Sequence, residues 1–109
     1  MQRLPKQIAI AELGEASADL YVVPANTKTT ISACSVTNKT DVARTVSVTI
    51  RAVGGAARSV AHKLGVGAGK TVVVAGALAQ TMEPGGVLAA FSDAAAALDI
   101  VVSAYETNP

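Results

Sequence analysis

A period-two alternation of apolar and polar side chains constrains the fold of this chain more than any other feature. Across residues 44–52, valine and isoleucine alternate with serine, threonine and arginine. Residues 98–105 repeat this alternation, with a second face that is less polar. A period of two places alternate side chains on opposite faces of a β-strand. Both runs therefore predict strands with one buried face, and the last run predicts partial burial of its second face.

Shorter runs extend the same pattern over most of the chain. Clusters of glycine, proline and asparagine separate them at intervals of roughly 10–14 residues. About seven or eight short strands at that spacing predict an all-β fold, an antiparallel β-sandwich or a jelly-roll-like barrel. Residues 71–75 are mostly β-branched, which suits burial on both faces, and residues 93–97 form either one helical turn capped by Asp93 or a loop. The shorter strand candidates are residues 7–13, 20–23, 29–38, 60–64, 71–75 and 87–92.

The length of 109 residues is that of one domain. We predict an N-terminal arm or edge strand over residues 1–13 and a single β-sandwich domain over residues 14–109. The apolar half of the composition includes 22 alanines and 15 valines but one phenylalanine and no tryptophan. Because alanine buries little area, we expect a large contact with a partner or a second copy to supplement this core.

Charge and apolar runs exclude several classes of protein. The net charge is +1, and the nine lysines and arginines are scattered without stacking aromatic residues, so we expect no nucleic-acid partner. The longest apolar stretch, residues 72–79, is far shorter than the ~20 residues of a membrane-spanning helix. We find no signal peptide, and the single Cys34 forms no intramolecular disulfide, so we expect synthesis in the cytoplasm and no membrane partner.

One glycine-rich segment partly matches the sequence pattern of a phosphate-binding loop. Gly69, Lys70 and Thr71 match the end of the G-x-x-x-x-G-K-[ST] pattern, but the position of its first glycine is Leu64. A phosphate-binding loop also opens a helix, whereas three valines follow Thr71 and predict a strand. We therefore interpret residues 65–71 as a glycine-rich hairpin or a connection between sheets.

No other pattern indicates catalysis or a metal. His62 is the only histidine, so the chain has no histidine–cysteine metal cluster, and we expect no cofactor. Cys34 lies among serine and valine in a predicted strand, which favours a packing role over a nucleophilic one. A pairing of Cys34 with His62 in space is the alternative, although no third orienting group is indicated by spacing. The carboxylates lie mostly in predicted turns.

A series of strand and turn motifs resembles a known class of protein. The chain is similar to the small β-sandwich structural proteins of tailed bacteriophage particles, from about residue 19 onward. The motifs that carry this resemblance mark the beginnings and ends of strands and the turns between them, and they include no catalytic residues. They are the Leu20–Thr27 entry, the strand end Val36–Asn38, the segments Arg44–Val48 and Gly69–Thr71, the Met82–Gly86 turn and the closing Val102–Glu106 strand.

The resemblance implies a non-enzymatic part of a virion that binds neighbouring capsid, neck or tail proteins. Capsid decoration (cement), a neck or tail accessory ring, and a fibre or baseplate attachment protein are the three possibilities. Residues 53–66 are short and rich in alanine and glycine, without an insertion for receptor binding, which favours packing against other virion subunits. We therefore expect a location in the virion and a homo-oligomer.

The N-terminal segment is the predicted partner-binding element. Leu4, Ile8 and Ile10 could add to the sheet edge of a neighbouring subunit, with Ile8 and Ile10 on one side of the strand. The alternative is that residues 7–13 form an edge strand of their own domain.

Two other functions remain as alternatives. A cellular β-sandwich module that binds carbohydrate or another ligand would use the few aromatic side chains, Tyr21, Phe91 and Tyr105, of which Phe91 is predicted to be buried. An enzyme would need an active site that no sequence pattern indicates, and a reactive Cys34 thiol would be the clearest sign of such a site.

Overall fold

The computed structural model describes residues 2–108, with the side chains of residues 5–107. These residues form nine antiparallel strands in two sheets, and one short 3-10 turn at Ala75–Ala77. The strands are β1 (Gln2–Glu12), β2 (Ala18–Val22), β3 (Lys28–Asn38), β4 (Arg44–Arg51), β5 (Arg58–Val66), β6 (Thr71–Val73), β7 (Thr81–Met82), β8 (Val87–Ser92) and β9 (Leu98–Asn108).

The strand order identifies the sandwich as a jelly roll. The first sheet has the order β1-β9-β3-β6, with β7 also paired to β3, and the second sheet has the order β2-β8-β4-β5. Because β6 and β7 occupy one position beside β3, there are four strand positions in each sheet. Two four-position sheets, with the first and last strands of the chain paired, are the arrangement of a jelly roll. The predicted all-β fold is confirmed. Of the two predicted forms, an antiparallel β-sandwich and a jelly-roll-like barrel, the strand order is that of a jelly roll built as a sandwich.

Strand β1 forms one edge of the first sheet. It pairs with β9 from Gln2, opposite Asn108, to Glu12, opposite Asp99. Ala9 and Leu13 also belong to the buried core. The sheet and core therefore include residues from the predicted 1–13 segment as well as from the predicted 14–109 domain.

The core lies between the sheets and consists mainly of valine and alanine. The buried face predicted for residues 44–52 is confirmed at Val46 and Val48, which are fully buried, and at Ile50, which packs against the core. The alternation is wrong at two positions, because Ser47 is also buried and Ala52 is exposed. Few large side chains contribute, since the shortage of aromatic residues leaves aliphatic ones to fill the interior. The largest fully buried apolar side chains are Ile31, Leu88, Leu98 and Ile100.

One local prediction is wrong, one strand was not predicted, and one alternative is decided. Burial on both faces is wrong for residues 71–75: β6 lies at a sheet edge with its outer face open, which leaves Val73 60% exposed. The strand β7 was not predicted, because two residues are too few to show a period. Residues 93–97 form a connecting loop rather than a helical turn.

The turn predicted at residues 82–86 has the geometry that its proline and glycines favour. At residues 83–86 the Gly86 amide donates to the Glu83 carbonyl at 2.9 Å and Gly85 has a φ of +82°. A type II turn requires this positive φ, which glycine adopts without steric cost. The segment 65–71 links β5 in the second sheet to β6 in the first, so its interpretation as a connection between sheets is confirmed.

Candidate interaction surface

The three predicted partner-binding residues lie on β1 but do not share one face. Leu4 is paired through its backbone with Glu106, and its side chain lies outside the part of the chain that the structure describes. Ile8 occupies a β-bulge between Gln7 and Ala9 and packs against the core. Ile10 points outward and is 68% exposed. Placing Ile8 and Ile10 on one side is therefore wrong, because the extra residue of a bulge interrupts the alternation.

Ile10 belongs to a row of side chains that crosses the outer face of the first sheet. The Cα partners along this row are Ile10 on β1, Val101 on β9, Ser35 on β3 and Val73 on β6. Ile10, Val101 and Val73 are 68%, 37% and 60% exposed. We call these four residues the outer row. Neighbouring strands lie ~4.8 Å apart, so the outer row spans ~15 Å of surface.

Small side chains continue this face on both sides of the outer row. On one side, the hydroxyls of Thr37 and Thr71 are hydrogen-bonded to each other at 2.8 Å. On the other side, Ala33 and Ser103 are Cα partners, and the Ser32 hydroxyl donates to the Ser103 carbonyl at 3.1 Å. Small side chains of β3 and the strands beside it therefore border the outer row.

A cluster of three charges lies at one end of the face, beyond the outer row. The Lys39 ammonium donates to Glu12 and lies 3.2 Å from the Asp99 carboxylate. The hydrogen bond to Glu12, and then the one to Asp99, raises the pKa of Lys39 above its ordinary value. These exposed ion pairs contribute little to stability, but they leave the end of the face with a net charge of only −1.

A second polar cluster joins four strands at the opposite end of the sandwich. The Tyr21 hydroxyl donates to the Glu106 carboxylate, and the fully buried Thr29 hydroxyl lies 3.0 Å from the Tyr21 oxygen. The Lys6 ammonium lies 3.5 Å from the same carboxylate. Burial, followed by the hydrogen bond to Glu106, raises the pKa of Tyr21 to about 12. This cluster connects β1, β2, β3 and β9.

The Tyr21 cluster predicts a late tyrosine titration. We expect a phenolate absorbance step with a pKa of about 12 in the native protein, absent from Tyr21→Phe and retained in Tyr105→Phe. Because the folded pKa lies above the ordinary value of 10.0, the stability that Tyr21 contributes is fully present below about pH 10. It is lost as the pH rises through about 12. A step at about 12 that persists in Tyr21→Phe would contradict this assignment.

Two cavities that share lining residues lie at the edge formed by β5 and β7. Their volumes are about 420 Å³ and 110 Å³, and Ile50, Ala52 and Thr81 line both of them. The larger cavity also presents the polar side chains of Arg58 and Gln80. No histidine or cysteine lines either cavity within the described residues.

The structure does not bring Cys34 and His62 together. Cys34 is 1% exposed in the core on β3, whereas His62 is exposed on β5 in the other sheet. Burial raises the pKa of the Cys34 thiol to about 11. Within residues 2–108, no group of three or more histidine, cysteine, aspartate or glutamate residues is placed to hold a metal ion.

Cys34 should therefore react slowly with thiol reagents while the protein is folded. A pKa of about 11 instead of 9.0 lowers the thiolate fraction at neutral pH on the order of 100-fold, and burial blocks access as well. We expect an aromatic disulfide reagent to modify Cys34 only after denaturation, as followed by absorbance. Rapid modification of the native protein would contradict this burial and favour the alternative of a reactive cysteine.

In the described part of the chain, no helix has the length and apolar character needed to cross a membrane. No family model and no curated protein sequence matches the chain.

A chain of a solved virus structure has a similar fold. The chain is similar to a chain in the structure of infectious bursal disease virus Gx strain, with a TM-score of 0.50 and 15% sequence identity. The match covers 96% of this chain and 31% of the viral chain, so the protein spans about a third of the length of its structural neighbour. At this identity the similarity shows a common β-sandwich fold, and the resemblance to tailed-bacteriophage proteins stays a prediction.

Proposed function

We propose that this protein is a non-enzymatic structural subunit of a virus particle that binds neighbouring virion proteins. In its more specific form, the proposal is a capsid decoration (cement) subunit or a neck or tail accessory subunit of a tailed bacteriophage. The observation that carries it is the jelly-roll strand order, together with the fold that 96% of the chain shares with a chain of a virus structure. The sequence resemblance to phage structural proteins supports the phage origin.

The arrangement of the strands suits a structural role. The two sheets give the molecule two broad, regular faces, and the outer row leaves aliphatic side chains at the surface of one of them. A contact made by a few exposed aliphatic side chains is weak, but a symmetric particle repeats each such contact many times. Rigid subunits with modest contacts can therefore form a stable shell or ring.

The unpaired edge of strand β1 is a second candidate contact with a neighbouring subunit. Its outer edge has no strand partner within the described residues, and Ile10 is exposed on its outer face. Addition of a neighbour's strand at this edge would extend the first sheet into an adjacent subunit. The bulge at Ile8 opposes such pairing beside it, since bulges at sheet edges disrupt a regular hydrogen-bonding register.

The carbohydrate-binding alternative rests on a different observation. Jelly rolls also occur in lectin domains, and the larger cavity presents Arg58, Gln80 and Thr81 as hydrogen-bonding side chains. However, Tyr21, Phe91 and Tyr105 are all partly covered, so none offers a fully open stacking platform. Specific binding on a glycan array would favour this alternative over the virion proposal.

The direct test is the protein content of purified particles. Particles produced from the genome that carries this gene should be purified by density gradient and quantified by mass spectrometry. We expect the chain to co-purify in a fixed ratio to the major capsid protein, in a number of copies that fits the particle symmetry. Recovery of the chain only in the soluble fraction would overturn the proposal.

A further inference from the structure

We propose that the larger cavity between β5 and β7 binds a carboxylate group carried on a short aliphatic stem. Such a group can belong to a free small acid or to an acidic side chain of a neighbouring virion protein, and in the second case the inference rests on the proposed function. The walls of the cavity, its charged side chain and its aliphatic lining carry this inference.

The cavity lies where the edges of the two sheets separate. Beside it, Gly76 approaches β5 so closely that an added Cβ would lie 2.1 Å from the Val60 carbonyl oxygen. Further along, Gly85 meets Val53 in the turn that joins β4 to β5, where an added Cβ would lie 2.4 Å from a Val53 methyl carbon. Because the edges meet at both places, the space between them suits a compact group rather than a strand that passes through. Its volume of about 420 Å³ is within the ~300–1,000 Å³ of small-ligand sites.

Arg58 is the charged side chain of this cavity. Its Cα partner on β4 is Ile50, and directly opposite residues of neighbouring strands have their side chains on the same face. Ile50 packs against the core, so Arg58 lies on the inner side of its sheet, at the opening between the sheets. Among the described residues that line the larger cavity, none but Arg58 carries a charge.

Arg58 forms no ion pair within the described residues, whereas the charges that line the smaller cavity are paired. The Glu83 carboxylate lies 3.6 Å from the Lys28 ammonium. The Arg51 guanidinium lies 3.6 Å from the Asp19 carboxylate. These pairs leave the Arg58 guanidinium as the uncompensated charge of the cavity lining. An anion is therefore the complementary ligand, and a planar guanidinium binds a carboxylate through two parallel hydrogen bonds.

Gln80 supplies a second donor that is already oriented. Its side-chain amide donates a hydrogen bond to the Gly76 carbonyl at 3.1 Å. An amide nitrogen carries two hydrogens, so the second N–H remains for a ligand oxygen. The bond to Gly76 fixes the amide before a ligand enters, which lowers the entropic cost of ordering it on binding.

Aliphatic side chains form most of the remaining lining. Ile50, Ala52, Ala56 and Val60 contribute them, and no aromatic side chain lines the cavity within the described residues. An aliphatic stem gains free energy by leaving water against these side chains. A bare inorganic anion would leave this lining unused, and a neutral sugar would find neither an aromatic platform nor a use for the charge of Arg58. A carboxylate on an aliphatic stem uses both parts of the cavity.

The test is an NMR titration of the isotope-labelled full chain with hexanoate, and with hexanamide as the uncharged probe of the same length. The Gln80 side-chain amide and the backbone amides of Val60 and Thr81 report on the cavity. Arg58→Gln removes its charge. Lys63→Gln is the matched control, because Lys63 is exposed on the same strand and lines neither cavity. Circular dichroism checks that each variant is folded.

We expect hexanoate to shift these signals saturably, with a dissociation constant on the order of 1 mM. We expect a dissociation constant at least about 10-fold higher for hexanamide, and for hexanoate with Arg58→Gln, because both changes remove the charge-assisted hydrogen bonds. Lys63→Gln should change it by less than about twofold. The inference is overturned if no signal saturates up to about 20 mM hexanoate, or if hexanamide or Arg58→Gln binds as tightly.

Capped peptides distinguish the two sources of the carboxylate. Because the cavity opens at the molecular surface, we expect acetyl-Leu-Glu-Leu-amide to shift the same signals and its glutamine counterpart to leave them unchanged. That result assigns the group to an acidic side chain of a neighbouring protein. Binding of hexanoate without binding of the glutamate peptide assigns it to a free small acid.

The carboxylate site and the virion role fail in different ways. An Arg58→Gln chain that loses hexanoate binding but enters purified particles normally leaves the virion function standing and assigns the cavity to a free acid. A wild-type chain that binds hexanoate but is absent from particles rejects the virion function and retains the site. A wild-type chain that is present in particles but binds no hexanoate rejects the site alone.

Discussion

Replacement of Ile100 by alanine should lower the free energy of unfolding by about 2–5 kcal/mol. Ile100 is fully buried near the start of β9, where its Cα partners are Ala11 on β1 and Val36 on β3. Ile100 belongs to a closely packed core cluster, so its truncation to alanine leaves a cavity that the surrounding side chains fill only in part. A loss of this size is a large part of the ~5–15 kcal/mol that stabilises a typical domain. Urea denaturation followed by circular dichroism measures it.

Val53→Ala is the matched control for this prediction. Val53 is also a branched aliphatic residue, but it is 73% exposed in the turn between β4 and β5. We expect its truncation to change the free energy of unfolding by no more than about 0.5 kcal/mol. If the two variants lose similar stability, Ile100 is not buried in the core as described above.

The second large effect is expected from a single methyl group at Gly76. A Cβ at this position would lie 2.1 Å from the carbonyl oxygen of Val60. Because that oxygen belongs to the backbone of β5, the 3-10 turn and the strand must move apart. The flanking Val74 and Ala77 are fully buried, so the movement would disturb the core. We expect Gly76→Ala to destabilise the fold by about 1–3 kcal/mol, as measured by urea denaturation.

Gly65→Ala provides the control for Gly76→Ala. A Cβ at Gly65 would meet no atom within 4 Å, and its φ does not lie in the left-handed region. Alanine there restricts the unfolded chain, so we expect no loss and a gain of up to about 1 kcal/mol. Equal destabilisation by both substitutions would mean that the close approach of Gly76 to Val60 does not exist in solution.

The strands were predictable where the sequence alternates and where turn residues bound each run. Residues 87–92 were predicted with the bounds that β8 has, and residues 44–52 differ from β4 by one residue. In contrast, β1 and β5 extend beyond their predicted runs. Their exposed edges require little alternation, and pairing with a neighbouring strand maintains the extended backbone. The strand order requires contacts between distant residues, such as Gln2 and Asn108, that no local pattern encodes.

The outer row was only partly predictable. The reduced polarity of the second face of residues 98–105 was visible, and Val101 is the residue responsible for it. Val73 was expected to be buried, because a continuous β-branched run does not reveal that its strand lies at an edge. The bulge at Ile8, which places Ile8 against the core and Ile10 outside, has no signature in the sequence. Alignment of Ile10, Val101 and Val73 became visible only with the register.

The most direct test of the virion role is a cryo-electron microscopy reconstruction of the purified particle at a resolution that separates β-strands. We predict density for this jelly roll in the particle, in contact with neighbouring virion proteins. A reconstruction that accounts for all its density without this chain would contradict the virion role.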